Sequence, residues 1–379
     1  MYFYMFLFAF CVGILILNND IKKDQKKYLE IATLFVLCIV SGTRYNLGGS
    51  DYSVYKTTFD SLPTLRVFFA DFAHLHEHYF TFGFETGYLF LNSLVKTIGM
   101  NFYGFTLIHS VIFYVCLYIG LKRYVDNLNL LIIVFLYKLF FYNTFLSMRQ
   151  SITIAIFLIA MHYIEEKKPV KYFALCTVAV FFHTAALILF PVYFIRKITL
   201  SKDKMILANV IFIPTILISF LNVPIMKLFS FAISLSGNPV IVMKANNLIS
   251  AAAASPIGIF HTLEYLMIMT LIIYNYEKII NIDEHAEFIL KLFMILLPVF
   301  TLFRGYEILT RIKDYFTFSY GIILGYLCLI DNREYRVLFQ LGTIIVCAYG
   351  FFRFITLFGS GCLMPYESYI TKGISIFGN

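Results

Sequence analysis

Long apolar runs separated by short, mostly basic turns repeat along almost the whole chain. Several approach the roughly 20 residues that an α-helix needs to cross a bilayer. Taken in order, they predict helices over residues 2–17, 28–42, 102–121, 128–146 and 150–164. Further runs predict helices over 205–221, 257–274, 288–303, 312–330 and 337–352. The runs are continuous rather than alternating, which excludes the in/out pattern of an outer-membrane barrel. Two segments fit less simply. Phe84–Met100 is shorter and more polar than its neighbours, and counting it as a crossing would put the Lys122–Arg123 turn outside. It reads as an interfacial or re-entrant helix. Residues 170–195 form one apolar stretch with basic turns at both ends. Two short helices meeting near His183–Thr184 keep both turns on the cytoplasmic side, and half-helices are tolerated at membrane depth where they line a cavity. A single tilted helix is the alternative, and it inverts everything downstream.

The predicted fold class is therefore all-α: a polytopic helical membrane bundle, one transmembrane domain over residues 1–379, with about 12 crossings. The turn holding Lys22, Lys23, Lys26 and Lys27 is the densest in basic residues and is assigned to the cytoplasm. On that topology residues 43–82 form an external loop and residues 222–256 a second one. Met1–Leu17 lacks a basic n-region and a small-residue cleavage site, so it reads as a retained helix rather than a signal peptide. The chain has no internal repeat and no linker.

Composition agrees with this reading. Hydrophobic residues make up 60% of the chain and charged residues 14%, and the mean hydropathy is +0.80; a soluble domain keeps about a quarter of its residues charged. The net charge of +8 resides mainly in inter-helix turns, where it sets orientation, and does not point to nucleic acid. Of seven cysteines, six lie inside apolar runs, so neither a disulfide framework nor a zinc site is supported. Trp is absent, which leaves Tyr and Phe to form the interfacial aromatic belt.

The candidate chemistry lies in the few charges placed at the ends of apolar runs, since an ionisable residue at membrane depth is costly and by default marks function. Arg44 and Asp51, Arg149, His183, and Arg304 to Arg311 fall on the predicted outer face. Arginine holds phosphate oxygens through a planar fork of donors, so several converging on one cavity suit a pyrophosphate. Glu307 and Arg311, Arg311 and Tyr315, and Asp51 and Tyr55 each stand at i,i+4, on one helical face. Gly48-Gly49 offers a tight turn that aims Asp51. Plainer readings stand beside these. Arg44 and Arg149 fit snorkelling side chains at helix ends, Glu307–Arg311 fits a mutually neutralising pair, and His183 fits a hydrogen-bonded core histidine. His74, His76 and His78 with Asp71 and Glu77 match no familiar metal-ligand spacing, so no metal is assigned.

The stretches GTRYNLGGSDYSVY, FETGYLFLN, SMRQSITIAIFLIAMHYI, FFHTAALILFPVYFI and LTRIKDYF, in that order, resemble the EpsG-like branch of Wzy-type bacterial polysaccharide polymerases. The resemblance runs from Arg44 to the final PYES and rests on order and spacing; the segment from Asn222 to Pro256 has no counterpart. It implies a glycosyltransferase of the C superfold type, multi-pass in the bacterial inner membrane and needing no metal or other cofactor. The partners implied are undecaprenyl-pyrophosphate-linked glycans as donor and acceptor, joined at the periplasmic face into O antigen or exopolysaccharide, with a chain-length regulator alongside. Carried over, the motif positions are Arg44, Asp51, Tyr55, Arg149, Gln150, His183, Arg311 and Tyr315. Arginines replace a metal's electrostatic role at the leaving pyrophosphate, and Asp51 or His183 serves as base toward the attacking hydroxyl. The reading leans to His183, with Arg149 and Arg311 on pyrophosphate and Asp51 orienting.

The alternatives are an O-antigen ligase, which shares architecture and donor, a flippase or other transporter, and an acyltransferase that decorates the glycan. Transporters commonly carry repeated halves around a mid-membrane site. Here no half-to-half similarity is found and the charges gather at one face.

Overall fold

The computed structural model describes residues 1–81, 83–217, 257–304 and 311–378, leaving aside the side chains of residues 19, 20, 23, 24, 50, 76, 77, 80 and 81. The described chain is helical, with no strand and only isolated bridges, Arg44 to Ser368 and Met100 to Phe377. It divides into two compact units, residues 1–196 with 333–379, and residues 197–332.

The first unit opens with α1 (Tyr2–Asp20) and α2 (Lys23–Gly42). The segment read from the sequence as an external loop, residues 43–82, holds α3 (Gly49–Ser61), α4 (Leu65–Ala70) and α5 (Phe72–Thr81). On α3, Tyr52, Tyr55 and Phe59 recur at helical spacing and are all buried, so an apolar stripe gives this short helix a face to bury. Lys96 donates to the carbonyls of Phe59, Asp60 and Leu62 at 3.2, 2.7 and 2.6 Å, closing the end of α3. Lys96 belongs to α6 (Thr86–Thr97), the short helix expected over Phe84–Met100.

α7 (Phe102–Leu121) matches its predicted bounds. Asn101 caps it, its side-chain oxygen accepting from the backbone N–H of Tyr103 at 3.0 Å. α8 (Leu128–Lys138) is buried from Leu128 through Leu136, as a helix apolar on every side must be. The chain then widens into a π turn, Tyr142–Leu146, before α9 (Met148–Ala160). α7 crosses α9 closely: a Cβ on Gly120 would stand 2.5 Å from the Leu158 carbonyl oxygen. α10 (His162–Glu165) leads to α11 (Pro169–Phe182), which starts with proline at its first turn and stops at His183. His183 is extended (φ −160°, ψ 124°), and a 3₁₀ segment, Thr184–Ile188, follows, then α12 (Leu189–Val192). The expected break at His183–Thr184 is therefore present. A last helix, Arg333–Leu357, completes the unit.

The second unit contains α13 (Lys202–Phe212), α14 (Ile259–Tyr274), α15 (Tyr276–Ile280), α16 (Ala286–Met294), α17 (Leu296–Phe300) and α18 (Lys313–Leu329). Its core is aromatic: Tyr265 stacks between Phe293 and Phe300, with ring centroids 4.8 and 4.9 Å away. The second predicted external loop, residues 222–256, and Glu307 lie outside the described residues.

Among the described residues two helical segments are long and apolar enough to cross a membrane, Phe102–Leu121 and Arg333–Gly361. Shorter apolar helices occupy Tyr2–Asn18, Leu128–Lys138, Pro169–Phe182 and Ile259–Tyr274. Only 17% of the Arg333–Gly361 window is buried against 56% for Phe102–Leu121, so Arg333–Gly361 presents most of its apolar surface outward.

Candidate active site

Arg149 and His183, 34 positions apart in sequence, meet on one carboxylate that the sequence reading did not assign. Glu85 accepts from Arg149 Nη1 at 2.7 Å through Oε2 and from His183 Nδ1 at 2.8 Å through Oε1. The backbone N–H of Thr184 adds a third bond to Oε1 at 3.0 Å, and the Thr184 hydroxyl lies 3.4 Å from the same oxygen. Side-chain exposures of 10% for Glu85, 16% for His183 and 22% for Arg149 make this a recessed but open site.

Local structure explains why the three converge. Arg149 stands in the first turn of α9, just after the π turn; such widened turns recur at functional sites. Buried His109 on α7 holds the start of α9 through Nε2, 3.0 Å from the Met148 carbonyl and 2.7 Å from Ser151 Oγ. His183 occupies the extended residue where α11 ends. Glu85 is the N-cap of α6, and α6 reaches the end of α11 because residue 87 is glycine. A Cβ there would stand 2.7 Å from the Phe181 carbonyl oxygen.

The Arg149 guanidinium has further support. It also donates to the Gly83 carbonyl, lies 4.8 Å over the Phe84 ring, and has Tyr55 as a second side-chain hydrogen-bond partner. Gly83 takes a positive φ of 78°, which turns the chain so that its carbonyl and the Phe84 ring face the same arginine. Tyr55, Phe84 and Tyr88 pack against one another, with ring centroids 5.7 to 6.4 Å apart, as part of a buried cluster that also includes Phe59, Phe102, Phe105, Met148 and Ile152. The arginine is thus fixed by aromatic packing as well as by charge.

The electrostatics favour an ionised Glu85. Burial pushes its carboxyl up, but the hydrogen bond from His183 and the charge of Arg149 outweigh this and hold it at about 2, below its ordinary 4.5. An ionised carboxylate only accepts, so His183 donates through Nδ1–H. A neutral His183 then carries its lone pair on Nε2, the arrangement a general base needs.

Other sequence candidates are placed differently. Arg44 is fully buried, donating from Nε to the Leu47 carbonyl at 3.1 Å and from Nη1 to the Ser41 carbonyl. It lies over the Tyr52 and Phe145 rings at 5.4 and 5.1 Å. Next to it, Tyr45 donates its N–H to Glu367 O, and Tyr369 donates to Thr43 O, clasping the C-terminal segment to the end of α2. Buried Tyr88 feels the charge of both Arg44 and Arg149. Asp51 and Tyr55 keep their i,i+4 spacing on α3, yet Asp51 is exposed while Tyr55 is buried. Gly48 and Gly49 take φ of 146° and 66° where the chain bends into α3. Gln150 is buried in α9. Arg311 and Tyr315 belong to the second unit, where α18 begins at Lys313, so Arg311 stands exposed in the turn ahead of the helix and Tyr315 is buried within it. Of the histidines on α5, His74 pairs with Asp71 at 3.3 Å.

The missed residue had a signal. Glu85 lies inside FETGYLFLN, one of the stretches that carries the family resemblance, but a carboxylate ahead of a short, polar helix draws no attention without knowledge of what stands opposite. Its partners lie 64 and 98 positions away.

The sequence profile of the EpsG family matches residues 27–368, nearly the whole chain and every motif quoted above. Neither the curated proteins nor the solved structures gave a match. This chain, helical through its described residues, with apolar helices that can span a membrane and with Arg149, Glu85 and His183 brought together from its quoted stretches, belongs to the EpsG family, whose membership suggests a polysaccharide-polymerase role.

Proposed function

We propose that this protein is a Wzy-type polymerase, multi-pass in the bacterial inner membrane. It joins oligosaccharide repeat units carried on undecaprenyl pyrophosphate into O antigen or exopolysaccharide at the periplasmic face. The observation that carries this reading is the cluster of Arg149, Glu85 and His183: a cation suited to phosphate oxygens and a histidine presenting Nε2, linked by one carboxylate, in a chain of the EpsG family.

In the transfer, a hydroxyl oxygen of the acceptor repeat attacks the anomeric carbon of the donor glycan. The bond from that carbon to the lipid pyrophosphate breaks, its electron pair leaves with the pyrophosphate, and the hydroxyl proton passes to His183 Nε2. Arg149 stabilises the charge that develops on the leaving oxygens. Asp51 is the other candidate base; its exposed position on α3, set against the carboxylate-held His183, favours the histidine. Tyr55 holds Arg149 in place, and Arg44 adds a buried positive charge felt by Tyr88.

Purified protein supplied with lipid-linked repeat units should make a ladder of products, and Arg149→Ala should abolish long chains while protein level holds. Transfer of the glycan to lipid A core in place of a ladder would make the protein a ligase. A normal ladder from Arg149→Ala would remove the arginine from the mechanism.

A further inference from the structure

The two oxygens of Glu85 are held differently. Oε1 accepts from His183 Nδ1, from the Thr184 N–H and from the Thr184 hydroxyl, so a backbone amide at the end of α11 anchors it. Oε2 accepts from the Arg149 side chain. Arg149 in turn keeps the Gly83 carbonyl, the Phe84 ring and Tyr55 whether or not Glu85 stays on it. The Glu85–Arg149 bond can therefore open while both ends remain supported.

A phosphate oxygen approaching Arg149 competes for the guanidinium nitrogen, Nη1, on which Oε2 sits, since both are anionic acceptors. The resting pair also cancels its own charge, which leaves an incoming diphosphate little net attraction until the carboxylate releases the arginine. We propose that Glu85 is a positioning residue that acts as the internal counter-anion of Arg149. It occupies the arginine in the resting protein, gives it up to the diphosphate of the donor, and holds His183 by Nδ1 throughout, so that Nε2 stays aimed at the acceptor hydroxyl. The inference rests on the roles proposed above for Arg149 and His183.

This role has a signature that a purely structural carboxylate lacks: binding and turnover respond in opposite directions. Glu85→Gln removes the competing charge at Arg149, and its amide oxygen can still accept from His183 and Thr184, but without the charge that steadies an imidazolium. Inorganic pyrophosphate, titrated calorimetrically into the purified full-length protein, should bind Glu85→Gln about tenfold or more tightly than the wild type. With lipid-linked repeats, the same variant should show a lower KM for donor and a kcat reduced by about tenfold or more. Binding that is unchanged or weaker in Glu85→Gln overturns the inference.

A measurement on the wild type covers the case in which the variant does not fold. Infrared difference spectra taken on adding pyrophosphate should show a carboxylate stretch shifting as Glu85 loses its arginine, and a spectrum without any carboxylate change overturns the proposal. Pyrophosphate binding needs no turnover. A wild type that binds pyrophosphate but builds no polymer therefore defeats the polymerase reading alone, whereas equal binding by wild type and Glu85→Gln defeats the role of Glu85 alone.

Discussion

Gly87 lies so close to Phe181 that a Cβ on the glycine would stand 2.7 Å from the phenylalanine's carbonyl oxygen and 3.1 Å from its Cβ. The obstructing atoms include backbone, which cannot swing aside as a flexible side chain would. Gly87→Ala should therefore push α6 off the end of α11 and lengthen the contact between Glu85 and His183. Overpacking of this kind costs typically about 1–3 kcal/mol, and misplacing a reacting group by about 1 Å can cost about 100-fold in rate. The expected outcome is a modest drop in thermal stability with a much larger loss of polymer formation. Wild-type activity in Gly87→Ala would show that this close approach does not position the site.

The fold was legible where one property repeats over many residues. The continuous apolar runs at 102–121 and 312–330 give helices close to those bounds because a helix apolar on all sides must be buried in protein or lipid. The break at His183 was legible from charge, through the basic turns at both ends of one apolar stretch. Residues 43–82 were not, because their charges mask a stripe in which only one residue in three or four faces the core. Within the site, Arg149 and His183 declared themselves as ionisable residues at the ends of apolar runs. Glu85 did not, because its meaning depends on partners brought near only by tertiary packing of α6 against α11.

The stability of the first unit should depend on pH through Glu85. Its folded value of about 2 lies below the ordinary 4.5, so the folded state binds the proton less readily than the unfolded chain does. The stabilisation from its ionised form is therefore complete above about 4.5 and is lost as pH falls through the window down to about 2. Unfolding midpoints in detergent should fall across this window in the wild type and fall less in Glu85→Gln, which has no proton to gain. Parallel curves for the two proteins would mean that Glu85 is not held ionised by its partners.

Arg149→Lys tests geometry rather than charge. Lysine keeps the positive charge but lacks the planar guanidinium, which lies over Phe84 while its Nη1 serves Gly83 and Glu85 and its other nitrogens stay available for phosphate oxygens. The variant should accumulate normally in the membrane yet lose long polysaccharide almost as fully as Arg149→Ala, by at least about tenfold in product. Polymer of normal length from Arg149→Lys would reduce the arginine to a source of positive charge.

A second carboxylate supplies a contrast, because it is buried and paired without belonging to the site. Glu30 on α2 is fully buried. Its two oxygens stand 2.8 and 3.0 Å from Lys122 Nζ, and Oε1 also accepts the N–H of Leu128, the first residue of α8. One side chain thus ties α2 to the turn after α7 and caps the start of α8. Glu30→Ala leaves the Leu128 amide without its acceptor and the Lys122 ammonium without its counter-ion, and removing one partner of such a pair costs on the order of 3 kcal/mol; the partial exposure of Lys122 and its remaining bond to the Asp126 carbonyl lower the figure. Glu30→Gln keeps an acceptor for the amide and should lose less. Both variants should melt earlier, Glu30→Ala first, while the protein that remains folded turns over at the wild-type rate. A fall in kcat at constant folded fraction would mean that this end of α2 is coupled to the chemistry, and the division between a structural carboxylate at Glu30 and a working one at Glu85 would fail.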